Sequence, residues 1–212
     1  MDNAEWSKKV VQEMLASMNN GQYGDFEVEG VTLQKMTKLM FAIYFAADKH
    51  RNQRRKDAEA SPYINHPISL AFELTNKGRV TDFDVLIAAI LHDTIEDTAT
   101  SEQELRGMFG DKITNIVLEV TDDKSLPKQE RKEKQVEHAP HISHEAKLVK
   151  LADKLCNLQD ILLSPPADWS MQRKIEYFDW SKRVVDGMRG TNEGLESYLN
   201  TLFAQGNYEF NK

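Results

Sequence analysis

The sequence predicts an all-α domain of roughly eight to ten helices. Three observations predict it. Apolar residues recur with a helical period along most of the chain. Ten glycines and six prolines leave little punctuation for a many-stranded fold. No stretch alternates apolar and polar residues convincingly enough for a strand, and there is no internal repeat. A chain of 212 residues, 40% hydrophobic and 29% charged, suits one domain with a sizeable core.

The elements follow in order. Ala4 to Met18 reads as an amphipathic helix, and the Gly- and Asn-rich stretch from Asn19 to Gly30 as a loop. Thr32 is a plausible N-cap for a helix to about His50, with Leu33, Met36, Leu39, Met40, Ile43 and Tyr44 on its apolar side. Arg51 to Asn65 is polar and irregular. Pro67 suits a helix start, leading Ile68 to about Asn76, and Gly78 suits its stop. Thr81 or Asp82 caps the next helix, which carries the run Val85 to Leu91. Ser101 to Phe109 forms a short helix, with Ser101 and Glu104 as a capping box and Gly110 as its end. Asp111 to Thr121 forms another. Pro127 starts a strongly charged helix to about Glu137. Ser143 to Leu162 is long and amphipathic, and Ser164-Pro165-Pro166 breaks it. Ser170 to Met188 and Thr191 to Phe203 complete the set. The expected organisation is an extension over 1–30, a domain over 31–205 and a tail over 206–212.

Composition narrows the function. A formal net charge of -7 argues against general nucleic-acid binding. Cys156 is the sole cysteine, so no intramolecular disulfide forms, which fits a reducing cytosol. The first residues lack the pattern of a signal peptide, and no apolar run is long enough to span a bilayer. The expectation is a cytoplasmic protein that takes a small-molecule substrate, with no nucleic-acid or membrane partner. Its oligomeric state is left open.

One stretch carries chemistry. Leu91-His92-Asp93-Thr94-Ile95-Glu96-Asp97 follows directly on the apolar run. On a continuous helix His92 lies under Glu96 and Asp93 under Asp97. Three carboxylates crowded at the end of a buried helix repel one another and resist desolvation. Either the helix end is solvated, or a cation sits among them. A cation needs ligands from elsewhere, and two are available. His66 precedes Pro67, which restricts its backbone. Asp153 lies in the apolar surroundings of Leu151, Ala152 and Leu155, with Asn157 on the same helix face. Taken singly, Asp153 between Lys150 and Lys154 reads as a solvated surface residue, and His66 as a cap or a core histidine.

The ordered set of a His, then His-Asp, then Asp about sixty residues later resembles the HD-domain metal-dependent phosphohydrolases. The finer resemblance is to stand-alone alarmone hydrolases, similar to the hydrolase half of RelA/SpoT-type enzymes. It runs from about Phe41 to Phe203. The matching stretches include HRNQRRKD (50 to 57), PYINHP (62 to 67), AAILHDTIEDT (88 to 98), EVTDDKSLPKQERK (119 to 132) and AKLVKLADKLCNL (146 to 158). No second catalytic half accompanies them, so hydrolysis alone is expected.

The resemblance implies that His66, His92, Asp93 and Asp153 bind one divalent ion, and it implies Mn²⁺. Two imidazoles and two carboxylates also suit Mg²⁺ or Fe²⁺. The absence of a thiolate argues against structural zinc. Glu96 and Asp97 match the family's catalytic acidic pair; the bland alternative is a pair of solvated charges. Arg55 and Lys56, within the basic cluster Arg51, Arg54, Arg55 and Lys56, match positions that contact substrate phosphates. Asn157, Arg173 and Tyr177 match proposed nucleotide contacts, although Tyr177 equally suits a core. Lys128 reads as solvated and Asp122-Asp123 as a turn. One departure stands out: Cys156 occupies a position that is aromatic in the metazoan members.

The implied reaction is hydrolysis of guanosine tetra- and pentaphosphate alarmones, releasing pyrophosphate from the 3′ position to give GDP or GTP. Two alternatives share the same residues. One is a phosphohydrolase acting on another nucleotide, such as NADPH or an adenosine alarmone. The other is a nucleotide sensor without turnover.

Overall fold

The computed structural model describes residues 27–28 and 31–210. The predicted helix from Ala4 to Met18 and most of the 1–30 extension lie outside them. Among the described residues the fold is all-α, with ten helices. A two-residue hairpin precedes them, β1 (Glu27–Val28) antiparallel to β2 (Val31–Thr32). The sequence reading found no strand; two residues a side are too short to show a period.

The helices are α1 (Leu33–Lys49), α2 (Asn65–Asn76), α3 (Phe83–Leu91), α4 (Thr94–Asp97), α5 (Glu102–Phe109), α6 (Asp111–Val120), α7 (Lys128–His138), α8 (His144–Leu163), α9 (Met171–Asp186) and α10 (Glu193–Phe210). Side-chain caps fix the starts of several of them. Thr32 accepts from the Lys35 N–H at 3.2 Å, Asp82 from Asp84 at 2.8 Å, Ser143 from Ala146 at 3.2 Å and Ser170 from Arg173 at 3.2 Å. Ser101 accepts from the Glu104 N–H, but the Glu104 carboxylate bonds Lys49 at 2.7 Å. Gly110 joins α5 to α6 at φ +85°, a backbone region that favours glycine.

α3 is the axis of the core. Val85 to Leu91 are all buried, so the helix is apolar on every side and must be enclosed. α1, α2, α6 and α8 pack around it. α8 is the second central helix, and it too buries Leu151, Ala152, Leu155 and Leu158 completely. Truncating such a residue to Ala costs about 2–5 kcal/mol.

Two boundaries differ from the sequence reading. α3 stops at Leu91, and His92 and Asp93 form a turn before the short α4. The stretch from Leu91 to Asp97 is therefore a broken helix, not one continuous face. The last helix runs on to Phe210, through the region expected to be a tail. Phe210 meets Phe178 edge-on at 4.9 Å, and this tertiary contact carries α10 past Gly206. Among the described residues no helix is long and apolar enough to cross a membrane.

Candidate metal centre and acidic pair

The break after α3 has a local cause. The His92 Nδ1–H donates to the Ala89 carbonyl at 2.8 Å, and the Thr94 hydroxyl donates to the Leu91 carbonyl at 2.6 Å. Two side chains thus satisfy carbonyls that a continued helix would have used. The carbonyl can only accept, so the proton of His92 is fixed on Nδ1 and Nε2 faces the site.

Three ligand atoms converge there. His66, His92 and Asp153 each offer one atom, and all of them lie within 4.8 Å of one another. His66 comes from the first turn of α2, His92 from the turn after α3 and Asp153 from the middle of α8. Asp93 lies beside this set: its Oδ2 is 2.9 Å from His92 Nε2 and accepts the Tyr63 hydroxyl.

The donor set fits a divalent cation. His92 Nε2 is buried and, though 2.9 Å from Asp93, makes no hydrogen bond. His66 Nε2 faces Asp153 Oδ1 at 3.3 Å. A nitrogen and an oxygen this close suit two donors to one shared ion. Burial disfavours the charge on His92, yet Asp93 and then Asp153 push its pKa up to about 9. For His66, burial dominates and lowers the pKa. Lys154, 2% exposed, bonds the second Asp153 oxygen at 3.2 Å, and Asn157 donates to the first at 2.6 Å.

Glu96 and Asp97 sit one turn on, in different surroundings. Glu96 Oε2 accepts the Asp122 N–H at 3.0 Å, while Oε1 stays 3.9 Å from both Lys124 and Arg131. Burial first, then Asp93, Asp122 and Asp97, push its pKa up to about 7. Asp97 is fully paired: Gln53 Nε2 donates to its Oδ2 at 2.7 Å and Lys124 to its Oδ1. Glu96 thus keeps one oxygen without a close donor, whereas both oxygens of Asp97 are bonded.

A family model described as an HD domain matches residues 42–176. The chain belongs to the HD-domain family. The HD-domain chain is 57% identical to the zebrafish (Danio rerio) guanosine-3′,5′-bis(diphosphate) 3′-pyrophosphohydrolase MESH1 over 167 residues, covering 79% of this chain and 93% of the relative. It is 56% identical to the human (Homo sapiens) protein of the same name over 168 residues, 79% of this chain and 94% of the relative. A solved structure, described as a metazoan ortholog of SpoT that hydrolyzes ppGpp, superposes with a TM-score of 0.78 at 49% identity, covering 79% of this chain and 94% of that one.

Two clefts flank the acidic pair of this HD domain. The smaller, about 290 Å³, is lined by Arg55, Lys56, Tyr63, Asp97, Asn157, Trp169 and Tyr177. Arg55 donates to Asn157 Oδ1 at 3.0 Å and to Asp160 at 2.5 Å. The larger, about 620 Å³, gathers Lys56, Lys128, Arg131, Lys132 and Arg173 against only two carboxylates, Asp122 and Glu176. Lys128, read from the sequence as solvated, lines this cleft. Burial and its neighbours Arg173, Lys56 and Arg131 lower its pKa. Tyr177 both touches the core and lines the two clefts, which joins its two sequence readings.

The structure thus gathers three of the four expected ligands, with Asp93 beside them, and sets Arg55, Lys56, Asn157, Arg173 and Tyr177 around adjoining clefts. Cys156 is buried in the core and burial pushes its thiol up, so a reactive role is excluded. Asp123 accepts from the Ser125 N–H at 2.9 Å, as its turn role required. Sequence reasoning missed Gln53, Tyr63, Lys124 and Trp169. Gln53, Tyr63 and Lys124 lie inside the quoted motifs; Trp169 reaches the site from a loop, which no periodicity reveals.

Proposed function

We propose that this chain is a metal-dependent guanosine-3′,5′-bis(diphosphate) 3′-pyrophosphohydrolase, with His66, His92, Asp93 and Asp153 as the metal ligands and Glu96 and Asp97 as the acidic pair. One observation carries the reading. A chain 57% identical to MESH1 over 93% of that relative gathers His66, His92 and Asp153 within 4.8 Å, beside a carboxylate pushed up to about 7. A divalent ion supplies positive charge to the phosphate oxygens and lowers the pKa of water.

The chain's own residues do the rest. Hydrolysis breaks the bond between phosphorus and the ribose 3′-oxygen. The pyrophosphate leaves with the water's oxygen, and the ribose oxygen gains a proton. Glu96 is suited to trade that proton at Oε1, since Oε2 is committed to the Asp122 N–H. Asp97, with donors on both oxygens, is suited to orient the water. Arg55, Lys56 and Arg173 bind phosphates, and Tyr177 and Asn157 shape the nucleoside cleft. The pentaphosphate fits the same chemistry, because the larger cleft offers more cations than carboxylates. Mn²⁺ is the preferred ion in this reading.

The test is a panel of nucleotides incubated with metal-stripped protein to which Mn²⁺, Mg²⁺ or Fe²⁺ is returned. GDP and pyrophosphate should appear from guanosine tetraphosphate only with metal. A higher kcat/KM for NADPH would overturn the substrate assignment.

A further inference from the structure

Behind Asp97 lies a pair, buried His50 and half-buried Gln53, that the chemistry above does not use. His50 ends α1 and is 2% exposed; Gln53 follows in the loop. His50 Nδ1 is 2.7 Å from Gln53 Oε1, and Gln53 Nε2 donates to Asp97 Oδ2 at 2.7 Å. The proton positions in this chain follow from Asp97. A carboxylate in this position only accepts, so the amide nitrogen of Gln53 must face it. The amide oxygen then faces His50, so the His50 Nδ1 must carry a proton. The backbone of Gln53 is pinned as well. Its N–H donates to the His50 carbonyl at 2.8 Å, and its carbonyl accepts from the Tyr63 N–H at 3.2 Å. The His50 ring also packs against Tyr63 at 4.8 Å, and Tyr63 donates to Asp93.

The other oxygen of Asp97 is held by Lys124, whose side chain is 48% exposed on a loop. A long exposed lysine fixes a carboxylate poorly, because it gives up rotamer freedom to do so. Gln53 is shorter, anchored on both sides and bonded through both ends of its amide. His50 Nε2 is buried without a partner, so this imidazole has no other polar engagement.

We infer that Gln53, oriented by His50, is a positioning residue that sets the rotamer of Asp97. The inference rests on Asp97 belonging to the acidic pair. Neither residue is one of the metal ligands, so a group of this kind acts chiefly on turnover, although Gln53 also lines the smaller cleft.

The test compares Gln53→Ala, Gln53→Glu, His50→Leu and His50→Asn, using steady-state kinetics with guanosine tetraphosphate, metal analysis and thermal melts. Gln53→Ala and His50→Leu should lower kcat about ten- to a hundred-fold, the usual effect of losing a hydrogen bond to a charged group. Metal content should hold, and kcat should fall by more than KM rises. His50→Asn places an amide N–H near the former Nδ1–H and should restore most of kcat. Gln53→Glu sets one carboxylate against another. It should lose more kcat at pH 8 than at pH 6, where a shared proton rebuilds the bridge. Thermal melts at both pH values separate this effect from destabilisation, which would lower Tm at pH 8 in step with kcat. Gln53→Ala combined with Asp97→Asn should be no slower than Asp97→Asn alone.

The failures separate. If Asp97→Asn turns over at the native rate, the acidic pair and the positioning inference fall together. If Asp97→Asn is inactive while Gln53→Ala keeps native kcat, or if the two losses multiply, only the positioning inference falls.

Discussion

Replacing Glu96 with Gln should make the metal-stripped protein more stable at pH 8 while lowering its turnover. The side chain is 16% exposed, and burial with three neighbouring carboxylates pushes its pKa from 4.5 to about 7. The unfolded chain loses this proton near the ordinary value. Between pH 4.5 and about 7 the folded state therefore holds a proton that the unfolded state has released. Stability falls as pH rises through that window, and the full cost applies above it. At about 1.4 kcal/mol per tenfold change in proton affinity, the ceiling is about 3 kcal/mol. Residual solvent contact reduces this to about 1.5 kcal/mol. Gln has nearly the same shape, can still accept the Asp122 N–H and carries no charge. Urea unfolding followed by circular dichroism at pH 5, 6, 7 and 8 measures the difference. The gain should be close to zero at pH 5 and grow towards pH 8. An equal gain at every pH, or a loss at pH 8, would refute the assignment of the cost to ionisation.

Three further outcomes are expected. Chelation should abolish hydrolysis and returned Mn²⁺ should restore it, while full activity in protein verified as metal-free would exclude the four-residue metal site. Glu96→Gln and Asp97→Asn should each lose about 10²- to 10⁴-fold in kcat and keep their metal, as measured by turnover beside metal analysis. At Gly206 an added Cβ would lie 2.3 Å from a Phe178 ring carbon, so Gly206→Ala should lower Tm through a cost of about 1–3 kcal/mol. An unchanged melt would mean that the end of α10 does not pack as described.

The helices of the domain were legible because their signals are local. Thr32 and Ser101 cap helices as read, Asp82 is the one of two candidates that caps, Ser143 and Ser170 cap helices read to start at those residues, and the apolar run from Val85 to Leu91 is buried throughout. His66, His92 and Asp153 were legible through the spacing of a family pattern, although no local property of Asp153 distinguishes it. The turn at His92-Asp93 was not legible. It contains neither Gly nor Pro, and its cause is two side-chain bonds that only the folded chain reveals. The end of α10 was misread for a related reason. The helix was read to end at Phe203, but it continues because Gly206 leaves room for the Phe178 ring, which also packs against Phe210.

The five cations of the larger cleft have a kinetic meaning. The chain as a whole carries a formal charge of -7, so a highly phosphorylated nucleotide approaching most of its surface is repelled. Lys56, Lys128, Arg131, Lys132 and Arg173 open a local window of opposite sign next to the acidic pair. Polyanions are then guided to one face, and nucleotides with fewer phosphates feel less of the pull. Guidance of this sort acts on the encounter rate and fades as the Debye length shrinks below about 8 Å at physiological salt. The protein can thus sort its ligands by charge before any of them is bound.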